Sequence, residues 1–219
     1  MNNETMKLQL IQPWSVPVLK TNLPTNVLQE MIEITDSIIE DKDSTSFGGS
    51  LVGQIDTELV IEEHLLKMTG MKNFFLESIR QFVTICHCQR TGGHSHKEDW
   101  VSDIIQMWVV SQEPNEYNPL HTHGNCDISA VMYLKVPKIL LSRKKDGSDG
   151  HIHFTGNVAR DTALSSPGIT FPPEVGDFYI FGAHQEHSVY PYRCEEGQKD
   201  VERRSVSFNA ILRDNDINE

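Results

Sequence analysis

Several things are missing from this 219-residue sequence, and each absence removes a class of function. No apolar run approaches the roughly 18 residues that a membrane-spanning helix needs, so no membrane role is expected. Positive charge is scarce: 19 Lys and Arg stand against 31 Asp and Glu, a formal net charge of -12. Nucleic-acid backbones are gripped by positive surfaces, so this balance disfavours nucleic acid as a partner. Met1-Asn2-Asn3-Glu4 is polar and acidic, without the basic and apolar regions of a secretory leader. Only four cysteines are present (Cys86, Cys88, Cys126 and Cys194), which suits a reducing compartment better than a disulfide scaffold. The expected location is cytoplasmic. Internal repeats and low-complexity tracts are also lacking.

What is present is enough to fold. Hydrophobic residues make up 38% of the chain, so a sizeable core can be buried. The first third reads helical. Leu23-Pro24-Thr25-Asn26 is a turn with a capping residue, and Val27, Leu28, Met31, Ile32, Ile38 and Ile39 follow at helical spacing. Residues 41–53, rich in Asp, Ser and Gly, read as a loop. A second helix is expected from Glu58 to Met68, stopped at Gly70, and a third from Lys72 to Val83. After Gly92-Gly93 the pattern changes to short β-rich runs at Ile104–Val110, Ile128–Val136, His151–Phe154, Asp177–Phe181 and Ser205–Leu212. Arg160–Pro173 reads as one long loop. One domain over residues 1–219 is expected, with a mostly helical flank at 1–92 and a β-barrel core at 93–219.

Histidine is the unusual residue. There are ten, and six of them form His-x-His pairs: His94/His96, His121/His123 and His151/His153. On a strand, residues i and i+2 share a face, so such a pair can offer two imidazoles to one metal. The strongest pair is His121-Thr122-His123, placed between two strands where a barrel mouth would lie. Asp127 follows four residues later across a Gly-Asn turn that could return its carboxylate. A further imidazole could come from the segment His184-Gln185-Glu186-His187, just after an apolar strand. Cys86-His87-Cys88 with His94 and His96 resembles a zinc ligand set, but it lacks Cys-x2-Cys spacing and begins at a helix end. Partly buried cysteines beside a polar loop are the plainer expectation there, and an exposed hairpin strand is the expectation for His151/His153.

The last strand carries Arg203-Arg204-Ser205-Val206-Ser207-Phe208-Asn209. Alternation puts Arg203, Ser205, Ser207 and Asn209 on one face, and Arg204, Val206 and Phe208 on the other. An arginine with a hydroxyl two residues on, turned into a barrel, suits recognition of a carboxylate. Arg204 is expected to be a solvated surface residue.

Taken in order, these pieces resemble the 2-oxoglutarate/Fe(II)-dependent oxygenases, most closely a small bacterial and phage branch of that superfamily. The carriers are His121-Thr122-His123, Ile128 to Leu134, Gly176 to Phe181, His187-Ser188-Val189-Tyr190-Pro191 and Arg203 to Asn209. The resemblance implies a mainly β fold with N-terminal helices, a double-stranded β-helix or jelly-roll like that of cupins. It implies Fe(II) as metal, 2-oxoglutarate and O2 as co-substrates, and hydroxylation of a further substrate. His121 and His187 match the family's two histidine ligands, and Arg203 and Ser205 match the pair that holds the far carboxylate of 2-oxoglutarate. The family's usual His-x-Asp is His121-Thr122-His123 in this chain. Three ligand sets are therefore open: His121/Asp127/His187, His121/His123/His187, or all four groups. Two other functions compete, a cupin-type metalloprotein that uses no 2-oxoglutarate (a dioxygenase or isomerase) and a non-catalytic jelly-roll binding protein.

Overall fold

The computed structural model describes residues 17–91, 100–142, 147–162 and 165–214. Ten strands and three helices run in the order β1 (Val18–Asn22), α1 (Thr25–Glu40), β2 (Thr57–Val60), α2 (Glu63–Thr69), α3 (Met71–Thr91), β3 (Trp100–Gln112), β4 (Asn118–His121), β5 (Ile128–Lys135), β6 (Ile152–Thr155), β7 (Gly168–Phe171), β8 (Asp177–Gly182), β9 (His187–Val189) and β10 (Arg203–Asp214). Six strands form one sheet in the order β1-β8-β5-β10-β3-β2, and four form a second in the order β4-β9-β6-β7. The strands pair antiparallel throughout. This is the double-stranded β-helix that the sequence led one to expect.

The larger sheet is covered on both faces, and its alternation shows how. Met132, Phe178, Ile180, Val206 and Phe208 face the helices, where they pack with Val27 and Met31 of α1 and Phe75, Ile79 and Phe82 of α3. The residues between them, Val131, Tyr133, Tyr179 and Phe181, turn inward to meet Ile152, Phe154 and Val189 of the smaller sheet. Phe75 is fully buried, with its ring centroid 5.6 Å from that of Phe208 and 6.0 Å from that of Phe178. It forms the apolar centre between the helices and the sheet.

Several local expectations need correcting. Residues 57–60 form strand β2 and not the start of a helix; Thr57–Val60 pair with Ser111–Trp108 of β3, and helix α2 begins only at Glu63. The helical spacing of Leu59, Leu65 and Leu66 concealed a four-residue edge strand whose formation depends on a distant partner. Helix α2 does end at Gly70, which takes the left-handed φ of 75°. Helix α1 has no side-chain cap, since Pro24 takes the capping position. Arg160–Pro173 contains strand β7, and β6 lies between β7 and β9, so His151 and His153 are half-buried and not on an exposed hairpin edge. The N-terminal part also supplies β1 and β2, the two edges of the larger sheet.

Arg204 is buried, not solvated. Its guanidinium donates to Glu202 Oε1 at 2.7 Å, to Asp36 Oδ1 at 2.6 Å and to Thr35 Oγ1 at 3.2 Å, tying α1 to β10. Its alternation to the helix side required a partner there, and Asp36 provides the charge. Among the described residues no helix is long and apolar enough to cross a membrane.

Phe75→Ala is expected to lower unfolding free energy by about 3–5 kcal/mol, because the ring leaves a cavity its neighbours cannot fill. Ile85→Ala on the same helix, at a position 45% exposed, should change it by less than about 0.5 kcal/mol. Urea denaturation of both variants checks this; equal effects would contradict the packing described.

Candidate metal centre

Strand β4 ends at His121, which lies directly across from His187 at the start of β9. His123 follows two residues on, where its backbone N–H donates to the carbonyl of Ala183 at 2.9 Å and holds the turn against the end of β8. The result is a cluster of three imidazoles whose nearest ring nitrogens all lie within 4.8 Å of one another. His121 and His187 have ring centroids 4.2 Å apart, and His123 stacks on His187 with 9° between the planes.

The hydrogen bonds fix which nitrogens point inward. His121 Nδ1 donates to the carbonyl of Pro119 at 2.7 Å, and His187 Nδ1 donates to that of Gln185 at 2.9 Å. A carbonyl can only accept, so both rings are protonated at Nδ1 and present a bare Nε2 lone pair to the cluster. His123 Nε2 lies 3.4 Å from His187 Nε2. Burial pushes the His187 imidazole down to about 3, helped by the nearby His121 and His123 rings, and His123 down to about 4 by burial and His121. Neutral, converging imidazoles suit a divalent transition metal, and 3.4 Å is a spacing that two nitrogens each about 2.1 Å from one ion can have. The donor set fits the metal.

The histidines open onto a cavity of about 360 Å³ between the two sheets, whose walls include Trp108, Tyr133, Phe181, Arg203, Ser205 and Asn209. Arg203 is 2% exposed. One of its terminal nitrogens donates to the Gly150 carbonyl at 2.6 Å, and the other to Gln112 Oε1. Among the described residues its Nε has no partner, and the hydroxyl of Tyr133, in the same wall, has none either. Burial works against the guanidinium's charge, and among the described residues no carboxylate pairs with it. A buried cation without a counter-ion is costly. The Tyr133 ring centre lies 5.8 Å from the guanidinium carbon, and Ser205 opposes Tyr133 in the register of β10 and β5. Among the described residues, this end of the cavity is a buried cation beside a tyrosine and a serine hydroxyl, a chemistry that suits a carboxylate.

Asp127, the acid considered in place of His123, is not brought to the cluster. Its Oδ2 accepts from the backbone N–H of Leu212 at 2.7 Å, and its own backbone pairs with Ala210 and Ala183. The Gly-Asn turn directs it to the end of β10, into a groove it shares with His184, so of the two histidines in the 184–187 segment only His187 faces the cavity. Cys86 and Cys88 are half-buried, while His94 and His96 lie outside the described residues. One cavity residue escaped the sequence reading: Glu58 of β2, placed in a helix by its periodicity. Its β-branched neighbours Thr57 and Val60 were the available signal.

A β-helix with converging histidines at one end of its cavity and a buried arginine in the wall is the arrangement that the resemblance to the 2-oxoglutarate/Fe(II)-dependent oxygenases implied. Residues 106–209, just under half of the chain's length, match the model of the family described as "Putative 2OG-Fe(II) oxygenase". Among solved structures it is similar to a prolyl-4-hydroxylase from Pseudomonas putida, with 12% identity and a TM-score of 0.52 over 91% of this chain and 94% of that one. It is also similar to the non-haem α-ketoglutarate-dependent epimerase SnoN of nogalamycin biosynthesis, with 13% identity and a TM-score of 0.56 over 90% of this chain and 78% of that one. The chain spans 48% of the length of a 2OG-Fe(II) oxygenase-family oxidoreductase from Burkholderia pseudomallei (15% identity, 54% of this chain, TM-score 0.37). The first two likenesses show the fold. No curated protein sequence matches the chain.

The depressed histidines carry a sign that can be checked. Unfolded imidazoles take up protons near 6.5, whereas His123 does so only near 4 when folded, so in between the unfolded state binds more protons. Stability of the metal-free protein is fully present above 6.5 and is lost as pH falls from there towards 4. His187→Asn should show a shallower loss than the parent in denaturation midpoints measured across that range; an unchanged slope would contradict the burial described.

Proposed function

We propose that this protein is an Fe(II)- and 2-oxoglutarate-dependent hydroxylase in which His121, His123 and His187 hold the metal and Arg203 with Ser205 holds the far carboxylate of 2-oxoglutarate. The observation that carries this reading is the meeting of two features in one cavity: three converging imidazoles, and a buried guanidinium with no carboxylate beside it among the described residues. Fe(II) with bound 2-oxoglutarate supplies the oxidative chemistry, in which O2, 2-oxoglutarate and a substrate C–H give succinate, CO2 and a C–OH. The protein's share is positional. Carbonyls 119 and 185 aim two imidazoles inward, Gln112 and Gly150 hold the guanidinium, and the apolar rings of Phe154 and Phe181 beside His187 exclude water.

The ligand set proposed is all-histidine and neutral, so the bound ion keeps more net positive charge than it would beside a carboxylate. Asp127 enters this set only if the turn at 124–126 is rebuilt, because its carboxylate already serves the Leu212 amide. The buried Arg203 favours 2-oxoglutarate dependence over the cupin-type alternative, which has no use for a cation at that depth.

Anaerobic titration of the Fe(II)-loaded protein with 2-oxoglutarate tests the reading, followed through the weak visible charge-transfer band of the chelate. The band is expected in the parent and absent in His187→Ala. Arg203→Lys keeps the charge but loses the planar fork, and should need about 10- to 100-fold more 2-oxoglutarate to reach half-saturation. Iron binding with no band at any concentration would exclude 2-oxoglutarate as co-substrate.

A further inference from the structure

The cavity contains a further buried ionisable group, which neither the metal nor 2-oxoglutarate accounts for. Glu58 is 2% exposed, lines the same cavity as the histidines, and its Oε2 has no hydrogen-bond partner. It lies in one row across the larger sheet with three inward-facing residues: Glu58 pairs with Val110, Val110 with Ser205, and Ser205 with Tyr133. Glu58 is thus three strands from Tyr133, on the opposite flank of the 2-oxoglutarate end. Among the described lining residues it is the one acid, as Arg203 is the one fixed base.

Its surroundings are built around the carboxyl group. The Glu58 carbonyl accepts from the Phe47 N–H at 2.7 Å, which brings the Phe47 ring over β2 and within 5.2 Å of the Trp108 ring, centroid to centroid. Trp108 in turn lies 6.1 Å from His123, so the same ring touches the metal cluster and the acid's corner. The 48–53 loop closes over this corner with glycines at its two ends, next to the carboxyl group. A Cβ on Gly48 would stand 3.3 Å from Glu58 Oε2, and one on Gly53 would run into Asn118 Oδ1 and stand 3.1 Å from Glu58 Oε1. A buried carboxyl oxygen without a donor is costly, as is a buried guanidinium nitrogen without an acceptor.

We propose that Glu58, flanked by the Phe47 and Trp108 rings, is the recognition site for a cationic amine on the hydroxylase's second substrate. The inference rests on the function proposed above and names the substrate class for that same cavity. An ammonium satisfies the acid and lies against aromatic faces, which attract cations through their ring quadrupoles. It also leaves the two charged ends of the cavity separately neutralised, Arg203 by the 2-oxoglutarate carboxylate and Glu58 by the substrate. Burial, with Glu116 adding to it, raises the Glu58 carboxyl to about 7, so an arriving ammonium meets a group ready to ionise on pairing. The net charge of -12 draws cations towards the protein from solution.

The test uses matched fragments on the full chain: n-pentylamine and benzylamine against 1-pentanol and benzyl alcohol. Binding is read by intrinsic fluorescence and calorimetry, first on the metal-free protein and then on the anaerobic Fe(II)/2-oxoglutarate complex. Each amine is expected to bind about tenfold or more tightly than its alcohol, the margin of a charge-assisted bond in a buried site. Glu58→Gln should bring the amines to the level of the alcohols. Amines and alcohols binding alike to the unaltered protein would overturn the proposal, and that comparison stands whether or not the variant folds. Amine preference persisting in a folded Glu58→Gln protein would overturn it equally. Because the metal-free arm does not depend on the visible band, failure of the amine preference and failure of 2-oxoglutarate binding are separate results.

Discussion

Strand β10 must satisfy two opposite environments at once, and the rest of the molecule is arranged around that demand. It sits between β3 and β5, with helices on one face and the cavity on the other. Its even-numbered residues, Val206, Phe208 and Ala210, are fully buried against the helices. Its odd-numbered residues, Arg203, Ser205, Ser207 and Asn209, form the polar wall of the cavity. A slip of one residue would put a guanidinium into the apolar layer and phenylalanine into the binding site, so register here is fixed from both sides. Arg204 is the exception on the helix face, and the acid of α1 that meets it turns that exception into a tether.

The histidine cluster inherits its precision from the smaller sheet. His121 and His187 are cross-strand partners, and each ring is locked by a carbonyl two residues earlier in its own chain. Orientation is therefore set by local backbone, and proximity by strand pairing. His123 owes its place to a different contact, the Ala183 carbonyl at the end of the larger sheet. The three-histidine cluster thus joins the two sheets at one end of the sandwich, while Arg203 and Glu58 occupy the wall that only the larger sheet supplies.

Much of this was legible in the sequence, for identifiable reasons. Strand-length runs of β-branched and aromatic residues marked the core strands, and alternation alone sorted the faces of β10. The strands β1, β4, β7 and β9 were not visible, because strands of three to five residues form only when a distant partner offers hydrogen bonds. Glu58 was missed for the same reason: its strand exists by pairing with β3, and leucines at helical spacing gave the stronger local signal. Arg204 was misjudged because nearby acids in the sequence looked sufficient to balance it, whereas one of its partners, Asp36, is 168 residues away. The choice between His123 and Asp127 depended on how a Gly-Asn turn bends, which composition does not specify.

The order of strands across the larger sheet has a consequence for synthesis. The edges, β1 and β2, leave the ribosome first, and β10, which lies between β5 and β3, leaves after every other strand. Until it inserts, β3 and β5 have no neighbour in common, and Phe75 and Ile79 of α3 have half a surface to pack on. Folding cannot proceed as a growing sheet; it must wait for long-range closure, the slow kind of topology. Part of the apolar helix layer therefore stays uncovered until β10 is made, and the polar wall of the cavity is the last of its parts to be completed.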